Sequence, residues 1–173
     1  TPTFMAMMNS IQYGDEPQSI AQESLDNVEP ITLANAAGVA QLATLGDADV
    51  AVESVAFSPD GGLLGAALAD GTVQLWDVAT REIRVTFRGF TDGATSVSFN
   101  TGGNLLAIGT GSGQVEVWDV ERDEPSGLLQ RHDAAVTSVA FQGDGLFVGS
   151  GAADGSVKVW DTATARAIAL DDT

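Results

Sequence analysis

Residues 54–80 read SVAFSPDGGLLGAALADGTVQLWDVAT, and residues 138–164 read SVAFQGDGLFVGSGAADGSVKVWDTAT. Between them, residues 96–122 read SVSFNTGGNLLAIGTGSGQVEVWDVER in the same frame. Trp76-Asp77, Trp118-Asp119 and Trp160-Asp161 mark the period: 118 − 76 and 160 − 118 both give 42, and these are all three tryptophans of the chain. Self-similarity at a fixed period of this length is the mark of a repeat architecture.

Inside each unit the pattern is short and strand-like. In the first unit, Val52 to Phe57, Leu63 to Leu68, Thr72 to Trp76 and Glu82 to Phe87 are predicted strands. Ser58-Pro59-Asp60-Gly61-Gly62, Asp70-Gly71 and Asp77-Val78-Ala79-Thr80 separate them, and such residues supply tight turns and positive φ. Asp77, Asp119 and Asp161 are placed to open the turn into each fourth strand. The expectation is an all-β chain of three four-stranded antiparallel sheets.

Four strands in about 42 residues, closed by Trp-Asp, resembles a blade of the WD40-repeat β-propeller family, with the bacterial type of repeat. The resemblance covers about residues 50–170. It implies blades near residues 50–90, 91–131 and 132–173. It also implies a side-chain network in each blade: an Asp in the turn before the third strand bonds a His before the first strand, the His bonds a Ser or Thr in the second strand, and that hydroxyl bonds the Trp. Matched by position, the third unit carries all four, His132, Ser150, Asp154 and Trp160. The first keeps Asp70 and Trp76 but has Ala48 and Ala66; the second has Phe90, Ile108 and Ser112 and keeps only Trp118.

These assignments compete with catalytic readings. His132, the only histidine, could serve as a base or metal ligand, but its spacing to Ser150, Asp154 and Trp160 favours the network. Ser150, His132 and Asp154 resemble a hydrolase triad without the strained nucleophile turn that such a serine needs. Gly109-Thr110-Gly111-Ser112-Gly113 resembles a phosphate loop, yet a strand follows where a helix N-terminus is required. Asp47, Asp49 and Glu53 lack the glycine turn and distal glutamate of a calcium loop. No metal, cofactor or catalytic residue is expected.

Composition narrows the partners. The chain has 24 acids against 7 bases, a formal charge of −17, and no cysteine. Such a surface repels nucleic acid and anionic lipid and favours a neutral or basic partner. No apolar run reaches the roughly 20 residues of a membrane helix. Residues 1–37 read as an acidic lead, either a short helix or disordered. Residues 38–46 read as a β-strand of the kind that, in the family, fastens the last blade.

The resemblance implies a protein-interaction scaffold that offers the loops before each first strand and between each second and third strand. Here those loops hold Phe90, Thr91, Asp92, Ser112, Arg131 and Asp133, with Phe90 as a candidate anchor if exposed and a local packing residue otherwise. Alternatives are a regulatory domain of a larger enzyme, or a hydrolase with paired axial carboxylates. Propellers have about 4–8 blades, so three units make an incomplete or open propeller in one copy. The faces are then covered by further blades of a longer polypeptide, the favoured expectation since residue 1 is Thr, or by another copy; otherwise the fan stays open.

Overall fold

The computed structural model describes Leu45 and residues 50–129, 131–143 and 145–168. The acidic lead, and the strand expected over residues 38–46 apart from Leu45, lie outside them. Within the described residues there are twelve strands and no helix. Blade 1 comprises β1 (Val52–Phe57), β2 (Leu63–Leu68), β3 (Thr72–Asp77) and β4 (Ile83–Arg88). Blade 2 comprises β5 (Ala94–Phe99), β6 (Leu105–Thr110), β7 (Val115–Asp119) and β8 (Glu124–Leu128). Blade 3 comprises β9 (Val136–Phe141), β10 (Phe147–Ala152), β11 (Val157–Asp161) and β12 (Arg166–Ile168). Each blade is an antiparallel meander with its strands in chain order. These are WD40 propeller blades.

The turns form for local reasons. Ser58 Oγ donates to Asp60 Oδ1 at 2.6 Å and accepts from Leu63 N at 2.8 Å, while Gly61 takes φ of 73°. Gly103 and Gly145 repeat that left-handed residue at 71° and 79°. Asp77, Asp119 and Asp161 each accept backbone N–H groups of the turn that follows, from Thr80, from Glu121 and Arg122, and from Ala163 and Thr164. The first–second strand pairing shifts register at the same place in every blade, between Val52 and Ser54, Ala94 and Ser96, and Gly151 and Ala152. Pro125 lies in β8, at the edge of its sheet, where a missing N–H is tolerated.

The blades stack face to face. Ala67, Val73, Leu75 and Phe87 of blade 1 pack on Phe90, Ala94, Val97, Leu106 and Ile108, which belong to blade 2 and its lead-in. Ala107, Val115, Val117 and Leu129 of the second blade pack on Val136, Val139, Val148 and Trp160 of the third. First strands lie side by side and are stitched by serines. Ser54 Oγ accepts from Val97 N at 3.3 Å, and Ser96 Oγ accepts from Val139 N at 3.1 Å. Ser98 Oγ likewise accepts from Phe141 N. The first serine of the Ser-Val-x-Phe motif thus supplies an interblade acceptor at Ser54 and Ser96, and its valine an apolar knob at Val97 and Val139.

Candidate protein-binding edge

Three tryptophans at one position of the repeat sit in three different environments. In blade 3, Trp160 Nε1 donates to Ser150 Oγ at 2.6 Å, and His132 Nε2 lies 2.7 Å from the same oxygen. His132 Nδ1 lies 2.9 Å from Ser156 Oγ, and Ser156 N donates to Asp154 Oδ1 at 2.9 Å. The chain therefore reaches Asp154 through Ser156, where direct His–Asp contact was expected. The sequence held a signal for this: Thr72 occupies the equivalent place in blade 1, and its hydroxyl donates to Asp70 Oδ1 at 2.7 Å.

His132 and Trp160 are fully buried and meet edge to face, ring centroids 5.7 Å apart. Burial, reinforced by the positive charge of Lys158, lowers the imidazole pKa, while Asp154 and Asp133 oppose that shift. A neutral ring satisfies every group in one direction. Trp160 N–H donates to Ser150, Ser150 O–H to His132 Nε2, His132 Nδ1–H to Ser156, and Ser156 O–H to the Asp154 carboxylate. Ser150 Oγ is buried and engaged by both the imidazole and the indole, so it is not presented to a substrate.

Blade 2 fills the same space without a polar chain. Phe90 stands where His132 stands and Ile108 where Ser150 stands. The Phe90 and Trp118 rings meet edge-on at 5.8 Å, close to the His132–Trp160 arrangement, and Phe87 of blade 1 stacks on Trp118 at 4.4 Å. Trp118 Nε1 turns to Glu116 Oε2 at 3.0 Å. Phe90 is only 4% exposed, so it packs beneath its loop and is not a free aromatic anchor. Ser112, at the Asp position, lies 3.0 Å from Thr110 Oγ1 and donates to Gln114 Oε1. In the first blade Trp76 is buried, Ala66 holds the serine position, and Asp70 accepts both the N–H and the hydroxyl of Thr72.

The remaining loop residues gather along one edge of the stack. The β2–β3 turn meets the segment entering blade 2, and the β6–β7 turn meets the segment entering blade 3. Gly71 there has φ of 80° with the Phe90 carbonyl against the place a Cβ would take, and Gly113 has φ of 89° with the carbonyls of His132 and Ala134 against the same place. Of residues 109–113, Gly109 and Thr110 end β6, and Gly111, Ser112 and Gly113 belong to this second turn, ahead of β7. Ala69, Asp70, Gly71 and Gly89 through Gly93 line a shallow recess. Thr91 and Asp92 are exposed at its rim, and Asp92 holds a left-handed φ of 62°. At the second junction Arg131 donates to the Ser112 carbonyl, Lys158 Nζ donates to the Arg131 carbonyl at 3.1 Å, and Asp133 is exposed. The first recess therefore carries two carboxylates, Asp70 and Asp92, and no base.

The comparisons with known proteins agree with this architecture. The family described as nucleolar protein 10-like, N-terminal domain, a β-propeller, matches residues 27–172. No curated protein sequence matches the chain. Among solved structures, a chain of the mitotic checkpoint complex is 31% identical with a TM-score of 0.65, over 70% of this chain and 37% of that one. U3-55K shares 21% identity with a TM-score of 0.68, over 72% of this chain and 40% of that one, a likeness of fold. The computationally designed Ika4 protein is 30% identical with a TM-score of 0.68, over 78% of this chain and 80% of that one. The chain thus spans about two fifths of the two natural chains. With the match extending from before the first blade to beyond β12, the chain belongs to the nucleolar protein 10-like N-terminal domain family of WD40 β-propellers.

Proposed function

We propose that the chain is a protein-binding module with no catalysis of its own, and that the edge formed by the β2–β3 and β6–β7 turns takes a peptide segment bearing a basic side chain. One observation carries this reading: the recess between the Asp70 turn and the Phe90–Gly93 segment presents two carboxylates without a neutralising base, on backbone held by stacked blades. Phe90 serves from below, by fixing the loop that carries Thr91 and Asp92. The charge of −17 draws a cationic partner toward the same surface. The similarity to a chain of a multiprotein assembly, the mitotic checkpoint complex, supports a protein as the partner.

The carboxylates argue for binding over hydrolysis. Asp60, Asp77, Asp119, Asp154 and Asp161 all have lowered pKa values, from hydrogen bonds to turn amides and hydroxyls. A glycosidase-type pair needs one acid raised toward neutrality.

The test is fluorescence polarisation with labelled peptides rich in Lys and Arg, matched against acidic peptides of the same length. Basic peptides bind, more weakly as salt rises, and Asp92→Lys lowers their affinity about tenfold, the equivalent of about 1.4 kcal/mol. Equal binding of basic and acidic peptides, or an Asp92→Lys variant that binds like wild type, overturns the proposal.

A further inference from the structure

Among the described residues, nothing packs on the two outer faces of the three-blade stack, and they are the two halves of a joint that the chain makes twice internally. On the leading side, Val97 and Val139 are 5% and 6% exposed beneath the preceding blade, whereas their equivalent in blade 1, Val55, is 59% exposed. Val52 and Phe57 flank it and are exposed as well. On the trailing side, Val73 and Val115 are fully buried by the following blade, whereas their equivalent, Val157, is 68% exposed.

Polar features repeat the same contrast. Ser54 and Ser96 each accept a backbone N–H from the next blade, at Val97 and Val139. Ser138 holds that place in blade 3 and is exposed, and the matching N–H at the other end of the stack is that of Val55. Gly71 and Gly113 are pressed against carbonyls of the segment entering the next blade. Gly155, with the same left-handed backbone at φ of 85°, has nothing within 4 Å of where a Cβ would lie.

We propose that the trailing face of blade 3 is a docking surface for blade 1 of a second copy of this chain, joined head to tail as blade 1 joins blade 2. The occupant follows from complementarity. At Ser138, Gly155 and Val157 the trailing face of blade 3 repeats groups that receive a leading face in the other two blades, and at Val52, Val55 and Phe57 the leading face of blade 1 repeats groups that insert. Such a contact is heterologous, and it closes when the second copy returns the same contact to the first. Two copies supply six blades, within the range of about 4–8 that closes a ring. Closure buries both apolar faces, which are otherwise of the kind that drives association. This inference is independent of the peptide-binding reading, because the recess at Asp70 and Asp92 lies inside one copy.

Light scattering on the size-separated 173-residue chain, from about 1 to 100 µM and with added salt to screen its negative charge, reads the mass directly. The expected particle has twice the 17.7 kDa of one copy. Val55→Lys and Val157→Lys, each alone, spoil both contacts of the ring and give 17.7 kDa particles. Mixing the two variants restores the doubled mass, because one contact then joins two unaltered faces. Circular dichroism confirms the strand signal of each variant. Where a lysine removes it, Val55→Thr or Val157→Thr replaces it and shifts dimerisation to higher concentration. A wild-type monomer at every concentration and salt overturns the proposal and assigns the faces to blades of another chain or a longer polypeptide. Doubled mass in either lysine variant alone, or no recovery on mixing two folded lysine variants, overturns it too.

Discussion

Ser150→Ile transplants the residue of blade 2 into blade 3 without its companions. The backbone setting is the same, since Ile108 pairs with Val97 and Glu116 just as Ser150 pairs with Val139 and Lys158. The substitution removes the only oxygen that both His132 Nε2 and Trp160 Nε1 contact. Each polar group orphaned in a dry core costs about 1–3 kcal/mol, so the pair costs about 2–6 kcal/mol. His132→Phe with Ser150→Ile and Lys158→Glu reproduces the arrangement of Phe90, Ile108, Trp118 and Glu116. There no imidazole is stranded, and the indole N–H gains the carboxylate that Trp118 uses. Removing both partners of a buried bond is close to neutral where shape is kept. The triple variant is therefore expected to exceed Ser150→Ile in stability by at least about 2 kcal/mol. Urea unfolding followed by tryptophan fluorescence, at one protein concentration below any assembly, measures the difference. A triple variant no more stable than Ser150→Ile refutes the claim that the two blades solve one packing problem in two interchangeable ways.

Two further outcomes follow from the same geometry. Because burial lowers the His132 pKa below its ordinary 6.5, the contribution of the neutral ring is complete above about pH 6.5 and declines as pH falls below it. The turn aspartates, lowered from 3.8, contribute above that value and lose their contribution as pH falls through their folded pKa values. Thermal melts against pH should show the upper decline in wild type and not in the triple variant, which lacks His132; identical profiles between pH 5 and 7 exclude His132 as its source. Gly113→Ala meets both a left-handed φ and two carbonyls, whereas Gly155→Ala meets only the φ, which costs about 1–2 kcal/mol. Urea midpoints under monomeric conditions should fall further for Gly113→Ala; equal falls disprove the crowding at the interblade turn.

How much of this was legible in the sequence depends on the range of the interaction. Strands β1 and β2 match the expected spans because apolar residues and Gly-Asp turns are local signals. The third strand runs one residue further, to Asp77, and the fourth shifts by one at both ends, to Ile83–Arg88. There Asp77 N donates to the Glu82 carbonyl and the pairing slips at Trp76, a detail of turn closure that composition does not encode. The polar chain of blade 3 could be placed by position, but not the insertion of Ser156, which depends on how far an imidazole reaches toward a turn. Phe90 was ambiguous because packing or presenting an aromatic is decided by a neighbour distant in sequence, here Trp118 and Phe87. The uncovered faces were foreseen from blade number; their matching valines and serines emerged only when equivalent positions could be compared inside and outside a joint.

The serine stitches between first strands bear on how such chains change length. Each joint is made by a motif on one unit and a backbone N–H on the next, so neither side depends on which numbered unit supplies it. Unequal crossing-over between two coding repeats would delete or duplicate a whole module while leaving a usable seam, since every donor still meets an acceptor of the same kind. Copy number can therefore drift in a lineage without any new seam having to be invented, and neighbour-to-neighbour additivity of stability is what makes that drift tolerable.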